Sequence, residues 1–269
     1  MGDNRPIGVC DSGIGGLTVV KELLELMPDE HFIYFGDTAR IPYGDRPPTE
    51  ILTFMRQILR FFTEQKVKMV VVACNTMTAV GLDMARREFP FPVVGVNTGI
   101  RSALAASRSG RIGVIATQAT VASGLHERTA RAIDAKAVVA LQACPKLVPL
   151  IEREQLEGPA VEAAVAEYLR PLRDAGVDAL ILGCTHYPFI NPVISRYLGP
   201  AVTIVNPARE TALDAASLLA GHDLWGEGPG SVRFCFSADL ERAKRLTARI
   251  IPGPLPAFEK VDMTSMPDV

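Results

Sequence analysis

The chain has 269 residues and a nearly balanced charge, with 28 Lys and Arg against 30 Asp and Glu. This balance provides no field to hold nucleic acid or an anionic membrane surface, so neither is an expected partner. No window approaches the roughly 20 apolar residues of a transmembrane helix, and the polar residues 1–6 lack the apolar region of a secretory signal. We therefore expect a cytoplasmic protein.

Short apolar runs alternate along the chain with longer amphipathic stretches. The runs are typical of buried strands in a parallel sheet and lie at Ile7–Cys10, Phe32–Phe35, Met69–Ala73, Val93–Val96, Ile112–Ile115, Val138–Leu141, Ala179–Leu182 and Val202–Val205. The stretches have apolar residues at three- and four-residue spacing and predict helices at Leu17–Leu26, Glu50–Gln65, Met77–Glu88, Gly158–Ala175 and Arg209–Ala220. Alternating units of this kind predict a doubly wound α/β fold.

Two polar turns follow predicted strands. In the first, Asp11–Thr18, glycines let the backbone approach a ligand, and the start of the next helix suits a carboxylate or phosphate. It lacks the Lys-Ser/Thr of a P-loop and the third glycine of a dinucleotide site, and an ordinary tight turn is the alternative. The second, Gly36–Gly44, is either a binding loop or a surface turn in which Asp37 and Arg40 are solvated.

The five cysteines stand at positions 10, 74, 144, 184 and 235. An odd number without CxxC spacing predicts free thiols rather than a disulfide framework or a metal site. Cys10, Cys144 and Cys235 are predicted to be core residues, and a small buried hydrophobe is also the alternative for the other two.

Cys74 and Cys184 nevertheless share one design, because each follows an apolar strand and a small residue, in Val70–Thr76 and in Leu180–His186. The polar pair after each Cys can cap a helix, so each thiol is expected at a helix N-terminus, which stabilises a thiolate. His186 is a candidate proton acceptor beside Cys184, with a structural histidine as the alternative. By pattern alone, Glu152 is predicted to be a surface acid on a helix. The segments Val70–Thr76 and Leu180–His186 share this design and lie a domain's length apart in the sequence, so they predict two pseudo-equivalent domains.

Four motifs then occur in a familiar order. They are Asp-Ser-Gly-Ile-Gly-Gly at 11–16, Phe-Gly-Asp-Thr-Ala at 35–39 followed by Pro42-Tyr43-Gly44, Ala-Cys-Asn-Thr at 73–76, and Gly-Cys-Thr-His-Tyr-Pro at 183–188. With these motifs the sequence resembles the glutamate racemases, within the wider aspartate/glutamate racemase superfamily, over nearly the whole chain. The resemblance implies cofactor-independent interconversion of L-glutamate and D-glutamate, which supplies D-glutamate for peptidoglycan synthesis. It also implies a homodimer.

The same resemblance implies two pseudo-symmetric α/β domains with parallel sheets and the active site in the cleft between them. We expect residues 1–97 with 208–269 to form the domain that carries Asp11 and Cys74. Residues 98–207 are expected to form the second domain, with Glu152, Cys184 and His186. The chain departs from the family pattern at residues 95–99, Gly-Val-Asn-Thr-Gly, where many members have an acidic residue or His and then a proline.

The resemblance further implies a role for individual residues, without a metal ion. Cys74 would take the α-proton of D-glutamate and Cys184 that of L-glutamate. Asp11 would support Cys74, while His186, with Glu152 behind it, would support Cys184; Asp37 matches a further acidic position implicated in catalysis. The implied substrate-binding residues are Asp11, Ser12, Pro42, Tyr43, Gly44, Asn75, Thr76, Thr120, Thr185 and His186.

Three other readings of the sequence remain open. An aspartate racemase, a hydantoin racemase or a maleate isomerase would use a similar pair of cysteines. A decarboxylase of this superfamily keeps one active thiol, whereas both are present here. A non-catalytic module that binds a small anion or another protein would need neither thiol.

Overall fold

The computed structural model describes residues 2–263, which form ten strands and eleven α-helices. The strands are Ile7–Asp11 (β1), His31–Gly36 (β2), Met69–Val72 (β3), Val93–Gly95 (β4), Arg111–Ala116 (β5), Val138–Ala143 (β6), Ala179–Gly183 (β7), Thr203–Val205 (β8), Ser231–Phe236 (β9) and Phe258–Lys260 (β10). The helices are Leu17–Leu26 (α1), Pro48–Glu64 (α2), Asn75–Glu88 (α3), Ile100–Ala106 (α4), Gln118–Ala122 (α5), Leu125–Ile133 (α6), Leu147–Glu152 (α7), Pro159–Asp174 (α8), Asn191–Leu198 (α9), Ala208–Gly221 (α10) and Leu240–Ile250 (α11).

The chain divides into two compact units, each with its own sheet. The first comprises the described residues of Met1–Val96 and Ala208–Val269, and the second comprises Asn97–Pro207. The strand order is β10-β9-β2-β1-β3-β4 in the six-stranded sheet and β6-β5-β7-β8 in the four-stranded sheet. Every strand pair is parallel. The α/β fold with parallel sheets predicted from the sequence is therefore confirmed.

Four strands of each unit follow the same order. In the first unit, β2-β1-β3-β4 places the first strand beside the second and the third, and β6-β5-β7-β8 repeats this order in the second unit. The two cysteines that share a sequence design follow corresponding strands, since Cys74 comes after β3 and Cys184 after β7. The carboxyl ends of parallel strands are the usual ligand-binding edge of such sheets.

The core of the first unit forms where strand and helix surfaces approach closely. Ile7 and Val9 of β1 are completely buried, as is Phe62 on the facing side of α2. Gly8 lies between them in the strand, and a Cβ atom there would come 2.8 Å from Cδ1 of Phe62. Glycine therefore lets the aromatic ring pack directly on β1, and complete burial of a side chain of this size contributes about 1.5–3 kcal/mol to the stability.

The second unit has its own apolar cluster, which includes Ile112 and Val114 of β5, Ile181 of β7 and Ile100 of α4. Helix α4 begins after Gly99, whose φ of +69° is the left-handed conformation that favours glycine. The amide of Gly99 donates to Oδ1 of Asn97 at 2.9 Å. Within the stretch that departs from the family pattern, residues 97–99 thus connect β4 to a core helix.

The sequence predicted all strands from β1 to β8 and the five longest helices other than α11. It did not predict β9, β10, α4–α6, α9 or α11, and it predicted α7 only as a helix that carries Glu152, without bounds. Most of these elements are short, and a helix of five to nine residues gives too little periodicity to be recognised. Among residues 2–263, no helix combines the length and the apolar composition that a membrane span requires.

Candidate active site

Cys74 lies where β3 meets α3. The strand ends at Val72, and the amide of Ala73 donates to the carbonyl of Cys10 at 2.8 Å, which holds the chain against β1. Cys74 is the N-cap residue of α3, in an extended conformation, and its side chain is 5% exposed. Its thiol donates to Oγ of Ser12 at 3.7 Å. The predicted helix is present, so the thiol lies at a helix N-terminus.

Asp11 closes β1 and shapes the glycine-rich turn beside Cys74. Its carboxylate is fully buried, and Oδ1 accepts from the amide of Gly13 at 2.8 Å. A Cβ atom at Gly16 would lie 2.6 Å from Cβ of Asp11, so the turn packs tightly on this side chain. Burial raises the pKa of the Cys10 thiol well above its usual value, and the nearby charges of Cys74 and Asp11 raise it further. Cys10 is therefore a protonated core residue, as predicted.

The first residues of α3 and the turn after β1 supply polar groups near the thiol. Ser12 and Asn75 are each 7% exposed and Thr76 is 3% exposed. All three follow a strand end of the same sheet, and β1 and β3 are adjacent strands. The structure therefore places Asp11, Ser12, Cys74, Asn75 and Thr76 at one edge of the first unit.

Asp37 follows β2, the other neighbour of β1, and it is fully buried. Its Oδ2 accepts from Nε of Arg40 at 2.6 Å and from the hydroxyl of Tyr43, while Oδ1 accepts from Oγ of Ser237 at 2.8 Å. Burial raises the pKa of Tyr43 well above its usual range, and the negative charge of Asp37 adds to this. The reading of residues 36–44 as a solvated surface turn is wrong, because the carboxylate is enclosed by its partners.

The same loop contains the Pro42-Tyr43-Gly44 motif. Tyr43 and Gly44 are buried and Pro42 is half-buried. Sequence reasoning missed Ser237, which follows β9 directly. A polar residue immediately after the alternating run Val232–Phe236 was the available signal, but that run was interpreted only as core.

Cys184 follows β7 and is 6% exposed. The prediction of a helix directly after it is wrong: a turn leads into a 3₁₀ helix at Tyr187–Ile190, and α9 begins only at Asn191. Pro188 has no amide hydrogen to donate to the carbonyl of Cys184, four residues back. That carbonyl instead accepts from the amide of Tyr187 at 3.1 Å, the shorter bond of a 3₁₀ turn.

His186 joins Cys184 to Glu152. Its Nδ1 lies 3.9 Å from the sulfur of Cys184, and its Nε2 lies 2.6 Å from Oε1 of Glu152. Burial lowers the pKa of His186, but the hydrogen bonds to Cys184 and Glu152 and their charges outweigh burial and raise the pKa well above its usual value. The carboxylate accepts from Nε2–H, so the opposite ring nitrogen faces the thiol.

Glu152 is the last residue of α7 and is 7% exposed, so its interpretation as a surface acid is wrong. The apolar residues Leu147 and Ile151 turn α7 toward the interior, and this carries Glu152 inward at the end of the helix. A six-residue helix shows too little of its pattern for this orientation to be read from the sequence.

Two threonines mark the end of β5 in the second unit. Thr117 is the N-cap residue of α5, where Oγ1 accepts from the amide of Thr120 at 3.3 Å and lies 2.9 Å from Oγ1 of Thr120. Both side chains are buried, as is Thr185 after Cys184. Thr117 was not among the predicted site residues, although a Thr three positions before another Thr at a strand end is a recognisable cap. Cys144 is buried, which raises the pKa of its thiol, and it is a core residue as predicted.

The predicted site residues thus fall into two groups, one within each unit. Each group has a buried thiol at the carboxyl end of the third strand of the shared order, with a polar partner: a serine hydroxyl for Cys74 and an imidazole for Cys184. Across residues 2–263 there is no cluster of three or more His, Cys, Asp or Glu side chains suited to a metal ion. Both groups can exchange a proton with a bound molecule.

The family model of the Asp/Glu/hydantoin racemases matches residues 7–215. The chain is 48% identical to the glutamate racemase of Exiguobacterium sibiricum over 217 residues, 80% of each protein. Its fold is similar to a glutamate racemase isoform from Bacillus anthracis, with a TM-score of 0.91, 34% identity, and coverage of 97% of this chain and 98% of that one.

A second solved structure is the glutamate racemase of Francisella tularensis in complex with D-glutamate. Here the TM-score is 0.88 and the identity 34%, with 98% of this chain and 99% of that chain covered. The matches extend over most of both partners, so they concern the whole protein rather than one motif. The chain belongs to the Asp/Glu/hydantoin racemase family and, within it, to the glutamate racemases.

Proposed function

We propose that the protein interconverts L-glutamate and D-glutamate without a cofactor, by proton transfer between the α-carbon and the thiols of Cys74 and Cys184. The observation that carries the mechanism is the position of these thiols after corresponding strands, β3 and β7, of two sheets with the same strand order. The choice of glutamate is supported by the related glutamate racemases and by the D-glutamate complex of one of them.

The reaction requires two acid/base groups. Racemisation removes the α-hydrogen and returns a proton to the opposite face, and a single base would return the proton to the face it came from. From L-glutamate, the thiolate of Cys184 takes the α-proton and the thiol of Cys74 gives its proton to the other face. From D-glutamate, the same two residues exchange roles, so each turnover leaves the enzyme in the opposite protonation state.

The partners of the two thiols fit these roles. A protonated His186 ring, held at Nε2 by Glu152, presents Nδ1–H to the sulfur of Cys184 as a hydrogen-bond donor. Cys74 instead has a serine hydroxyl and the N-terminus of α3. Asp11 is buried in the same group, and we assign it to the support of Cys74 during proton transfer.

The carbanion formed at the α-carbon needs stabilisation from the protein's own hydrogen bonds. Donors aimed at the α-carboxylate, where negative charge increases, are the usual solution. The buried hydroxyls and amides of Ser12, Asn75, Thr76 and Thr185 supply such donors, and Thr120 and the Pro42-Tyr43-Gly44 loop complete the proposed substrate site. A homodimer, a cytoplasmic location and a role in supplying D-glutamate for peptidoglycan belong to the same proposal, on the strength of the family relationship.

The test is incubation of the purified protein with L-glutamate or D-glutamate in deuterated water, following optical rotation and α-deuterium together. We expect both enantiomers to approach the racemate, with solvent deuterium in the product. Parallel incubations with aspartate and a substituted hydantoin test the other substrates of this family. Glutamate binding without α-hydrogen exchange would contradict the proposal and favour a binding module.

A further inference from the structure

The buried carboxylate of Asp37 is fully occupied by the protein itself. Arg40, Tyr43 and Ser237 donate to its two oxygens, and its side chain has no exposed surface. A group that exchanges a proton with a substrate must reach it, whereas this carboxylate is enclosed and its oxygens already accept three hydrogen bonds from the protein. Asp37 therefore holds the loop at residues 36–44 in place through these hydrogen bonds.

Ser237 ties this loop to the end of β9. Its Oγ donates to Oδ1 of Asp37 at 2.8 Å and accepts from the amide of Ala39 at 2.8 Å. Beside it, the hydroxyl of Thr38 donates to the carbonyl of Ala238 at 2.5 Å and accepts from the amide of Ala238 at 2.9 Å. The amide of Ser237 also donates to the carbonyl of Gly36 at 3.1 Å. Residues 36–39 are therefore held by a dense set of bonds to residues 237 and 238.

Arg40 holds the other side of the carboxylate. Besides its bond to Oδ2 of Asp37, its Nη1 donates to Oε1 of Gln57 at 2.5 Å, and its guanidinium lies 4.0 Å above the ring of Phe54. The ring of Tyr43 packs on the same phenylalanine, with centroids 5.4 Å apart. The loop is thus fixed against α2 on one side and β9 on the other.

We propose that Ser237 and Arg40 are positioning residues: acting through Asp37, they fix Tyr43 and the backbone at residues 42–44, which bind the substrate. Asp37 then serves the reaction as an anchor and exchanges no proton with glutamate. This inference rests on the proposed function, because it assigns a role to the loop of that same substrate site. Ser237, which lies 200 positions after Asp37 in the sequence, thereby acquires a positioning role at the substrate site of the first unit.

The proposal predicts an effect on substrate binding rather than on the chemical step. Ser237→Ala removes one bond to the carboxylate and one to the Ala39 amide, so the loop loses order before substrate arrives. We expect KM to rise about 10-fold for both enantiomers, with kcat within about threefold of the wild type, as expected for lost uniform binding. Ser237→Thr keeps the hydroxyl and should restore KM.

The control is Ser231→Ala at the start of the same strand, where the exposed hydroxyl contacts His31 and not the loop. Hydrogen exchange of the Ala39 amide in the free enzyme gives a second measurement that needs no turnover. We expect it to accelerate at least about 10-fold in Ser237→Ala and to be unchanged in Ser231→Ala. Unchanged exchange at Ala39 would contradict the anchoring itself, whether or not the protein racemises glutamate.

Asp37→Asn separates anchoring from proton transfer. The amide keeps one acceptor and the volume of the side chain, so we expect a higher KM with a pH profile of kcat like that of the wild type. A wild-type KM in Ser237→Ala, or a loss of kcat in Asp37→Asn with KM unchanged, would overturn the proposal. Absence of turnover in the wild type would refute the proposed function instead, and the exchange of Ala39 would still decide the anchoring.

Discussion

The Nε2 atom of His186 lies 2.6 Å from Oε1 of Glu152, and both side chains are almost completely buried. The two residues belong to different elements, the turn after β7 and the end of α7, and they meet beneath the thiol of Cys184. A buried imidazole paired in this way holds a positive charge that it would not hold alone. The pair therefore determines the charge of the imidazole beside Cys184, one of the two thiols of the proposed reaction.

Replacing Glu152 with Gln should lower the pKa of His186. Desolvation already opposes the charged ring, and the variant loses the carboxylate that compensates for it. The measurement is a pH titration of the histidine ring signals by NMR, with His186→Asn to assign the resonance. Glu167→Gln, an exposed acid paired with Lys146, is the control and should leave the titration unchanged.

The same change should alter stability in a defined pH range. Because the folded pKa of His186 is raised, its contribution to stability is fully present below the unfolded pKa, about 6.5, and is lost as pH rises through the folded value. The unfolding free energy of the wild type should therefore exceed that of Glu152→Gln by the largest amount at pH 5.5–6.5. Urea denaturation at a series of pH values measures this difference. A difference that grows toward alkaline pH would contradict this assignment of charge.

Cys74→Ser and Cys184→Ser should each lower kcat/KM in both directions by at least about 10²–10⁴-fold, since each removes one acid/base group. The equilibrium constant of a racemisation is one, so kcat/KM must fall equally for the two enantiomers. The difference between the variants should appear in isotope effects. Cys184→Ser should increase the effect of α-deuteration more for L-glutamate than for D-glutamate, and Cys74→Ser should do the reverse.

Circular dichroism should show that both serine variants remain folded. Cys235→Ser is the matched control, because that thiol is buried in β9 and has no place in the proposed reaction. Full turnover in either Cys74→Ser or Cys184→Ser would exclude the mechanism with two thiols.

His126 should make the second unit sensitive to acid. Burial lowers its pKa from 6.5 to about 4, so the folded state favours the neutral ring. Its titration leaves the stability unaffected above pH 6.5 and lowers the stability as pH falls from 6.5 to 4. Since one pKa unit corresponds to about 1.36 kcal/mol, the loss over this range is about 3 kcal/mol. His126→Leu should remove this loss in unfolding experiments, whereas His222→Leu, at an exposed position, should retain it.

Lys68 forms a buried ion pair whose loss should be costly. Its Nζ lies 2.5 Å from Oε2 of Glu30 and donates to the carbonyls of Asp3 and Leu224 at 2.6 and 2.7 Å. Lys68→Met leaves a buried carboxylate without its cation and should lower the unfolding free energy by about 3–5 kcal/mol. Arg233→Met breaks a largely exposed pair with Glu259 and should cost less than about 1 kcal/mol, as measured by urea denaturation.

The sequence by itself determined the class of fold and the two thiols. Apolar runs such as Met69–Ala73 and Ala179–Leu182 predicted buried parallel strands because both faces of such strands are covered by helices. The matching contexts of Cys74 and Cys184 were equally visible, since a strand, a small residue and a polar pair are local features of the chain. The motifs around them were specific enough to identify the family.

Only the tertiary structure showed which distant polar residues share hydrogen bonds, although the family resemblance had implied that Glu152 stands behind His186. By pattern alone, Glu152 was predicted to be a surface acid, and for Asp37 a binding loop and a solvated turn were both open. Both carboxylates are buried, because α7 turns Glu152 toward His186 and the loop after β2 turns Asp37 toward Tyr43. Ser237 meets Asp37 across 200 positions of sequence, because β9 pairs with β2 in parallel. The periodicity of one segment carries no information about a contact between residues so far apart in the sequence. The sequence fixes the local conformations through nearby side chains, whereas the pairing of distant strands determines which of those side chains share a hydrogen bond.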